Sequence, residues 1–103
     1  MDAVFETLAD PGRRRILDVL ADGERPAGDF TPLLGISQPG VSRHLRVLRE
    51  AGLVSVRKDA TRRLYSLNPA RLREIDRWLD RYRRLWTTHL DALEAHLDRE
   101  FPQ

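Results

Sequence analysis

A chain of 103 residues is long enough for one domain with a modest core, or for a core completed by pairing with a copy. Charged residues make up 33% of it, and the formal net charge of +2 conceals an uneven distribution. Cysteine is absent, which excludes disulfides, thiolate metal sites and thiol redox switching, and fits a reducing cytosol.

Residues 1–36 carry four arginines against seven acids, residues 37–66 seven basic residues against two acids, and residues 67–103 seven of each. Positive charge is concentrated in the middle third, as expected of a phosphate-binding surface. No apolar run approaches the ~20 residues of a membrane span. Met1-Asp2-Ala3-Val4-Phe5-Glu6 has neither the basic start nor the apolar stretch of a signal peptide. The expectation is a cytoplasmic protein with no membrane partner.

Val4, Phe5 and Leu8 mark one face of a short first helix. Asp10-Pro11 restarts the chain, Asp as N-cap and Pro in the first helical position, and the second helix runs to about Asp22, closed by Gly23. Ile16, Leu17, Leu20 and Ala21 form its buried stripe. Arg13, Arg14 and Arg15 crowd its first turn, the unfavourable end for cations in the helix dipole. That placement predicts partners, and the nearby acids Glu6, Asp10 and Asp18 are favoured over a phosphate. In residues 25–35, Phe30, Leu33 and Leu34 can face a core, while Pro26, Gly28 and Pro32 restrict any helix to a short one starting near Asp29. Gly35-Ile36 makes a tight turn.

Residues 37–52 read as a helix with a marked start and stop. Ser37 is an N-cap, Pro39 falls in the first turn, and Gly52 stands where a left-handed C-terminal cap belongs. At about 100° per residue, Val41, Leu45 and Leu48 share one narrow apolar face. The opposite arc carries Gln38, Ser42, Arg43, Arg46 and Arg49. A solvated basic face would account for this arc, but so would a major groove, where Arg bonds guanine, Gln bonds adenine and Ser bonds base edges or phosphate. A helix-turn-helix with this segment as its reader is the preferred assignment.

After Gly52 the pattern turns extended. Residues 53–58 and 62–67 read as two strands joined by a turn at Asp59-Ala60-Thr61, with Arg57, Lys58, Arg62 and Arg63 around the tip. Such a tip suits phosphates or a minor groove, although a solvated loop would also explain it. The fold class is mainly α with a small β-hairpin wing, a winged helix-turn-helix in the order α-α-α-α-β-β-α, forming one domain over residues 1–103 with its wing at about 53–67. Asn68-Pro69 caps a last helix over about residues 69–100, some 45 Å long at ~1.5 Å per residue. Leu72, Ile75, Leu79, Tyr82, Trp86, His89, Leu93 and His96 recur along it at helical spacing, and Trp78, Leu85, Leu90 and Leu97 widen the stripe. Left open, this face would be a large apolar patch, so pairing with a second copy is expected, through Leu72, Ile75, Leu79, Tyr82, Trp86, Leu90, Leu93 and Leu97 with Val4 and Phe5 of the first helix. A membrane-surface helix is the alternative, and the balanced charge of the segment argues against it.

Leu8-Ala9-Asp10-Pro11-Gly12-Arg13-Arg14-Arg15-Ile16-Leu17, Gly35-Ile36-Ser37-Gln38-Pro39, Val41-Ser42-Arg43-His44-Leu45, Leu48-Arg49-Glu50-Ala51-Gly52-Leu53-Val54 and Arg63-Leu64-Tyr65-Ser66-Leu67 closely resemble the ArsR/SmtB family of winged-helix repressors. The resemblance covers about residues 1 to 100. It implies a homodimer that binds double-stranded DNA at an inverted-repeat operator. It further implies DNA contacts by Ser37, Gln38, Gly40, Ser42, Arg43 and His44 and by the wing. Helical geometry puts His44 at the edge between core and polar arc, where a packing role and a DNA contact are equally compatible.

Many members of that family sense metals, and here the chain departs from the pattern. Pro26 and Gly28 stand where the family's Cys-x-Cys pair would be, and neither can ligate. On the last helix His89, Asp91 and His96, with Arg99 three residues beyond His96, do not match the order or spacing of the family's other site. The expected state is a repressor without metal or other cofactor. The alternative is a metal-sensing repressor that uses His89, Asp91 and His96 across a dimer. An enzyme is not expected, because there is no thiol nucleophile, no glycine-rich phosphate loop and no pair of carboxylates in apolar surroundings.

Overall fold

The computed structural model describes residues 1–100. The chain runs α1 (Asp2–Leu8), α2 (Pro11–Leu20), β1 (Arg25–Pro26), a 3-10 turn (Ala27–Asp29), α3 (Phe30–Leu34), α4 (Gln38–Glu50), β2 (Val54–Asp59), β3 (Arg62–Leu67) and α5 (Pro69–Glu100). It divides into two units, Met1–Leu72 and the stretch from Arg73 onward.

In the first unit Phe30, Ile16, Leu45, Leu48 and Leu53 are fully enclosed. Each contributes roughly 1.5–3 kcal/mol through burial. Val41, Leu45 and Leu48 turn the apolar face of α4 inward as the spacing predicts. Two details of α1 differ from expectation. Val4, assigned to a dimer face, is buried in the chain's own core at 2% exposure, and Thr7 is buried beside it, its hydroxyl donating to the Ala3 carbonyl. Phe5 stays on the surface.

The three arginines that open α2 are also explained differently. The Asp10 carboxylate caps the helix by accepting from the Arg13 backbone N–H at 2.9 Å. The arginine side chains turn to carbonyls rather than to acids. Arg13 Nε donates to Thr7 O and its Nη2 to Glu6 O, Arg14 Nη1 donates to Leu8 O and Ala9 O, and Arg15 Nη2 donates to Leu34 O. Only Ala9 and Asp10 separate α1 from α2, so the unsatisfied carbonyls of α1 lie within reach of the next helix's first turn. Cations at the wrong end of α2 thus serve the negative ends of α1 and α3.

Residues 25–35 hold more structure than the expected short helix. Arg25 and Pro26 pair antiparallel with Tyr65 and Leu64, so the expected hairpin is a three-stranded sheet of order β1-β3-β2. The edge position makes Pro26 tolerable, because its missing N–H is not needed by an inner ladder. Gly35, at φ 65°, closes α3 and leads into α4.

Ser37 caps α4 by accepting from the Gly40 N–H at 3.3 Å. The helix stops in a Schellman turn: the Gly52 N–H donates to Arg49 O and the Leu53 N–H to Leu48 O, with Gly52 at φ 77°. β2 and β3 then pair from Val54↔Leu67 to Asp59↔Arg62, leaving Ala60 and Thr61 as a two-residue loop. Asn68 Oδ1 accepts from the Ala70 N–H at the start of α5, while its Nδ2 donates to Gly52 O.

From Arg73 to Glu100 the chain is a single helix. Arg83 donates to the carboxylate and carbonyl of Asp76 at 2.6 Å, and Trp78 and Tyr82 stack at a tilt with ring centroids 5.0 Å apart. Its large apolar side chains lie on the surface. No helix among the described residues is long and apolar enough to cross a membrane.

Candidate nucleic-acid interface

α4 presents its polar arc outward. Ser37, Gln38, Ser42, Arg43, Arg46 and Arg49 are exposed, and among the described residues Arg43, Arg46 and Arg49 form no ion pair within the chain. Three shared constraints hold the arc in place: the Ser37 cap, the buried stripe of Val41, Leu45 and Leu48, and the Gly52 turn. Gly40 differs from its neighbours on this face. A Cβ there would come within 2.7 Å of Ile36 Cγ2, so its absence permits the tight turn into the helix.

His44 does not project with the arc. Its side chain is 19% exposed, and its Nδ1 lies 3.8 Å from Asp10 Oδ2 with no hydrogen-bond partner. Gly12 makes room for it, since a Cβ at that position would lie 2.9 Å from His44 Nε2. The imidazole therefore packs α4 against the start of α2. The Arg13 N–H, helped by the charges of His44 and Arg13, holds the Asp10 carboxyl below its ordinary range although burial opposes this.

The four wing cations are differently engaged. Arg57 forms a two-pronged pair with Glu24, Nε and Nη2 each 2.8 Å from a carboxylate oxygen. That bond lowers the pKa of Glu24 and raises that of Arg57. Arg62 reaches Asp59 at 3.3 Å. Lys58 and Arg63 are exposed and take part in no ion pair among the described residues. Glu24 is the residue that sequence reasoning overlooked. Its partner is 33 positions away and only the unexpected strand β1 brings it to the wing.

On α5, Leu79, Tyr82, Trp86, Leu90, Leu93 and Leu97 are exposed, Leu72 is exposed in the first unit, and Ile75 is partly covered. His89, Asp91 and His96 are exposed, and no group of three ligating side chains among the described residues could hold a metal ion.

Residues 10–56 match the family model described as "Bacterial regulatory protein, arsR family". The chain is 39% identical to the HTH-type transcriptional regulator Rv2034 of Mycobacterium tuberculosis, over 96% of this chain and 90% of that protein. It is 38% identical to the transcriptional repressor SdpR of Bacillus subtilis, over 77% and 88% of the two chains. Among solved structures, an ArsR-like transcriptional regulator from Rhodococcus sp. RHA1 superposes with a TM-score of 0.72 at 29% identity, covering 91% of this chain and 89% of that one.

Proposed function

The chain belongs to the ArsR family of bacterial transcriptional regulators, and from that premise we propose that it is a cytoplasmic homodimeric repressor that binds an inverted-repeat operator without a metal signal. The observation that carries the reading is the outer arc of α4, where polar and cationic side chains stand exposed beside a basic wing.

Gln38, Ser42 and Arg43, on the exposed N-terminal half of the reader, discriminate bases. Ser37, Gly40 and Arg46 border the same surface, and the wing supplies phosphate contacts that fix register and carry no sequence information. Two copies related by a twofold axis place two readers in successive major grooves, ~34 Å apart. The apolar stripe of α5 is the surface offered to the second copy. Repression follows from occupancy, because a dimer seated on promoter DNA excludes the transcription machinery.

The metal-free reading rests on Pro26 and Gly28, which offer no ligating side chain. The test is a fluorescence-anisotropy titration onto the DNA upstream of the chain's own gene, in chelator and again with zinc. Tight, salt-sensitive and sequence-dependent binding that zinc leaves unchanged is expected. Release by zinc would instead assign His89, Asp91 and His96 to a sensing site, and no binding even at low salt would remove the DNA-binding reading altogether.

A further inference from the structure

Strand alternation sorts the wing cations into two sets. In an antiparallel ladder, directly opposed residues put their side chains on the same face, and the next pair along uses the other. Lys58↔Arg63 and Val56↔Tyr65 therefore share one face, while Arg57↔Leu64 and Asp59↔Arg62 share the opposite one. The continuing register of β1 carries Glu24 to the second face, since Pro26 opposes Leu64 and Glu24 lies two residues before it. The observed bonds agree with this sorting. Glu24 spans β3 to reach Arg57, and Asp59 takes Arg62, so both cations of that face are neutralised within the chain.

The first face looks toward α4. Tyr65 and Arg63 line a cleft of about 370 Å³ with Leu45, Arg46 and Arg49 of the reader helix. Arg49 and Arg63 also line an adjoining cleft of about 260 Å³ together with Lys58, Val56 and Arg57. Two cations from the wing and one from the reader thus border these two clefts, which share Arg49 and Arg63, with Arg46 on the first. None of these four has an ionic partner among the described residues, so their charge is uncompensated. Arg57 borders the second cleft, but its guanidinium is held by both of its bonds to Glu24.

We infer that Arg49, Lys58 and Arg63 form one seat for a backbone phosphate of the DNA between reader helix and wing, and that Arg57 and Arg62 serve the wing's own structure instead. The inference rests on the DNA-binding reading and divides the basic residues more finely than that reading does. It adds Arg49, at the C-terminal end of α4, to the contact surface. It also gives Glu24 a role: by occupying Arg57 it ties the two edge strands together across the buried Leu64. The clefts are lined by uncompensated cations, and a phosphodiester is the anion that bound DNA would offer to them.

The test is the salt dependence of binding to a fluorescent random-sequence duplex of roughly three helical turns, because phosphate contacts act on every sequence. The variants are Arg49→Gln, Lys58→Gln, Arg63→Gln, Arg57→Gln and Arg62→Gln, each checked for folding by circular dichroism and thermal melting. Each of the first three should lower the slope of log K against log salt, and all three together by ~0.9 for every subunit engaged, because the seat holds one phosphate. Arg57→Gln and Arg62→Gln should keep the wild-type slope, and Arg57→Gln should lower the melting temperature. Equal slope losses across all five would overturn the division by face. Losses confined to Arg57 and Arg62 would reverse it. A wild-type protein that binds no duplex would overturn the DNA-binding reading itself, an outcome distinct from either.

Discussion

Asp10 carries two tasks: it caps α2 through the Arg13 N–H and stands beside His44 of the reader helix. Its carboxyl is held below the ordinary value of 3.8, with the Arg13 N–H as the main cause. A lowered folded-state pKa stabilises the fold fully above the unfolded value and loses that contribution as pH falls through the folded value. Chemical denaturation should thus show wild type losing stability below about pH 4 relative to Asp10→Asn, which cannot titrate, with the two curves parallel above about pH 5. A difference that persists unchanged at acid pH would detach Asp10 from the effect. At Arg43 the prediction concerns recognition. Arg43→Ala should weaken operator binding by about 1–3 kcal/mol and relax preference at one base position. Equal losses on operator and random DNA would make Arg43 a phosphate contact. The outward position of Arg43 was legible from spacing alone, whereas the inward turn of His44 was not, since it depends on the space left by Gly12 on another helix.

At the level of elements, what could be read in advance was whatever depends on neighbours in the sequence. The start of α4 at Ser37, its stop at Gly52 and its buried stripe are all local patterns, and the structure keeps each of them. The strand β1 was hidden because its two residues are too few for a period and one of them is proline. Arg13, Arg14 and Arg15 announced an electrostatic problem, but their carbonyl partners follow only from the sharp α1–α2 junction. Two backbone positions give opposite predictions. Ala60 holds φ 57° in the wing loop, a conformation that burdens a residue with a Cβ by about 1–2 kcal/mol. Ala60→Gly should therefore raise stability, by a net amount on the order of 0.5 kcal/mol after glycine's greater freedom in the unfolded chain is deducted. Gly52→Ala should do the reverse. It takes on the same left-handed strain, and its new Cβ would lie 2.8 Å from Arg71 Nε. Thermal melting of the two variants should move in opposite directions, and a fall for Ala60→Gly would mean that the loop's strain is offset elsewhere.

For the whole molecule, the question is what covers the apolar side of α5. Trp86 and Leu90 are 62% and 64% exposed, and Leu85, Leu93 and Leu97 follow at about half. A row of such side chains on one helix is more apolar surface than a monomer ordinarily leaves in water. A second copy solves this with the same stripe on both sides, because a twofold contact is self-complementary. The helix's equal numbers of acids and bases suit that arrangement better than a one-signed membrane surface would. Leu90→Asp places a charge in the middle of the stripe, where a dimer would have to bury it without a partner. Sedimentation equilibrium should show dimer for wild type and monomer for this variant. The first unit should keep its melting behaviour if its own core is sufficient, because Phe30, Ile16, Leu45, Leu48 and Leu53 all lie outside α5. DNA affinity should fall steeply in the same variant, since a monomer offers one reader where an inverted repeat asks for two. A variant that remains dimeric would move the interface off this stripe, and a monomeric variant with undiminished operator affinity would end the case for recognition by a symmetric pair.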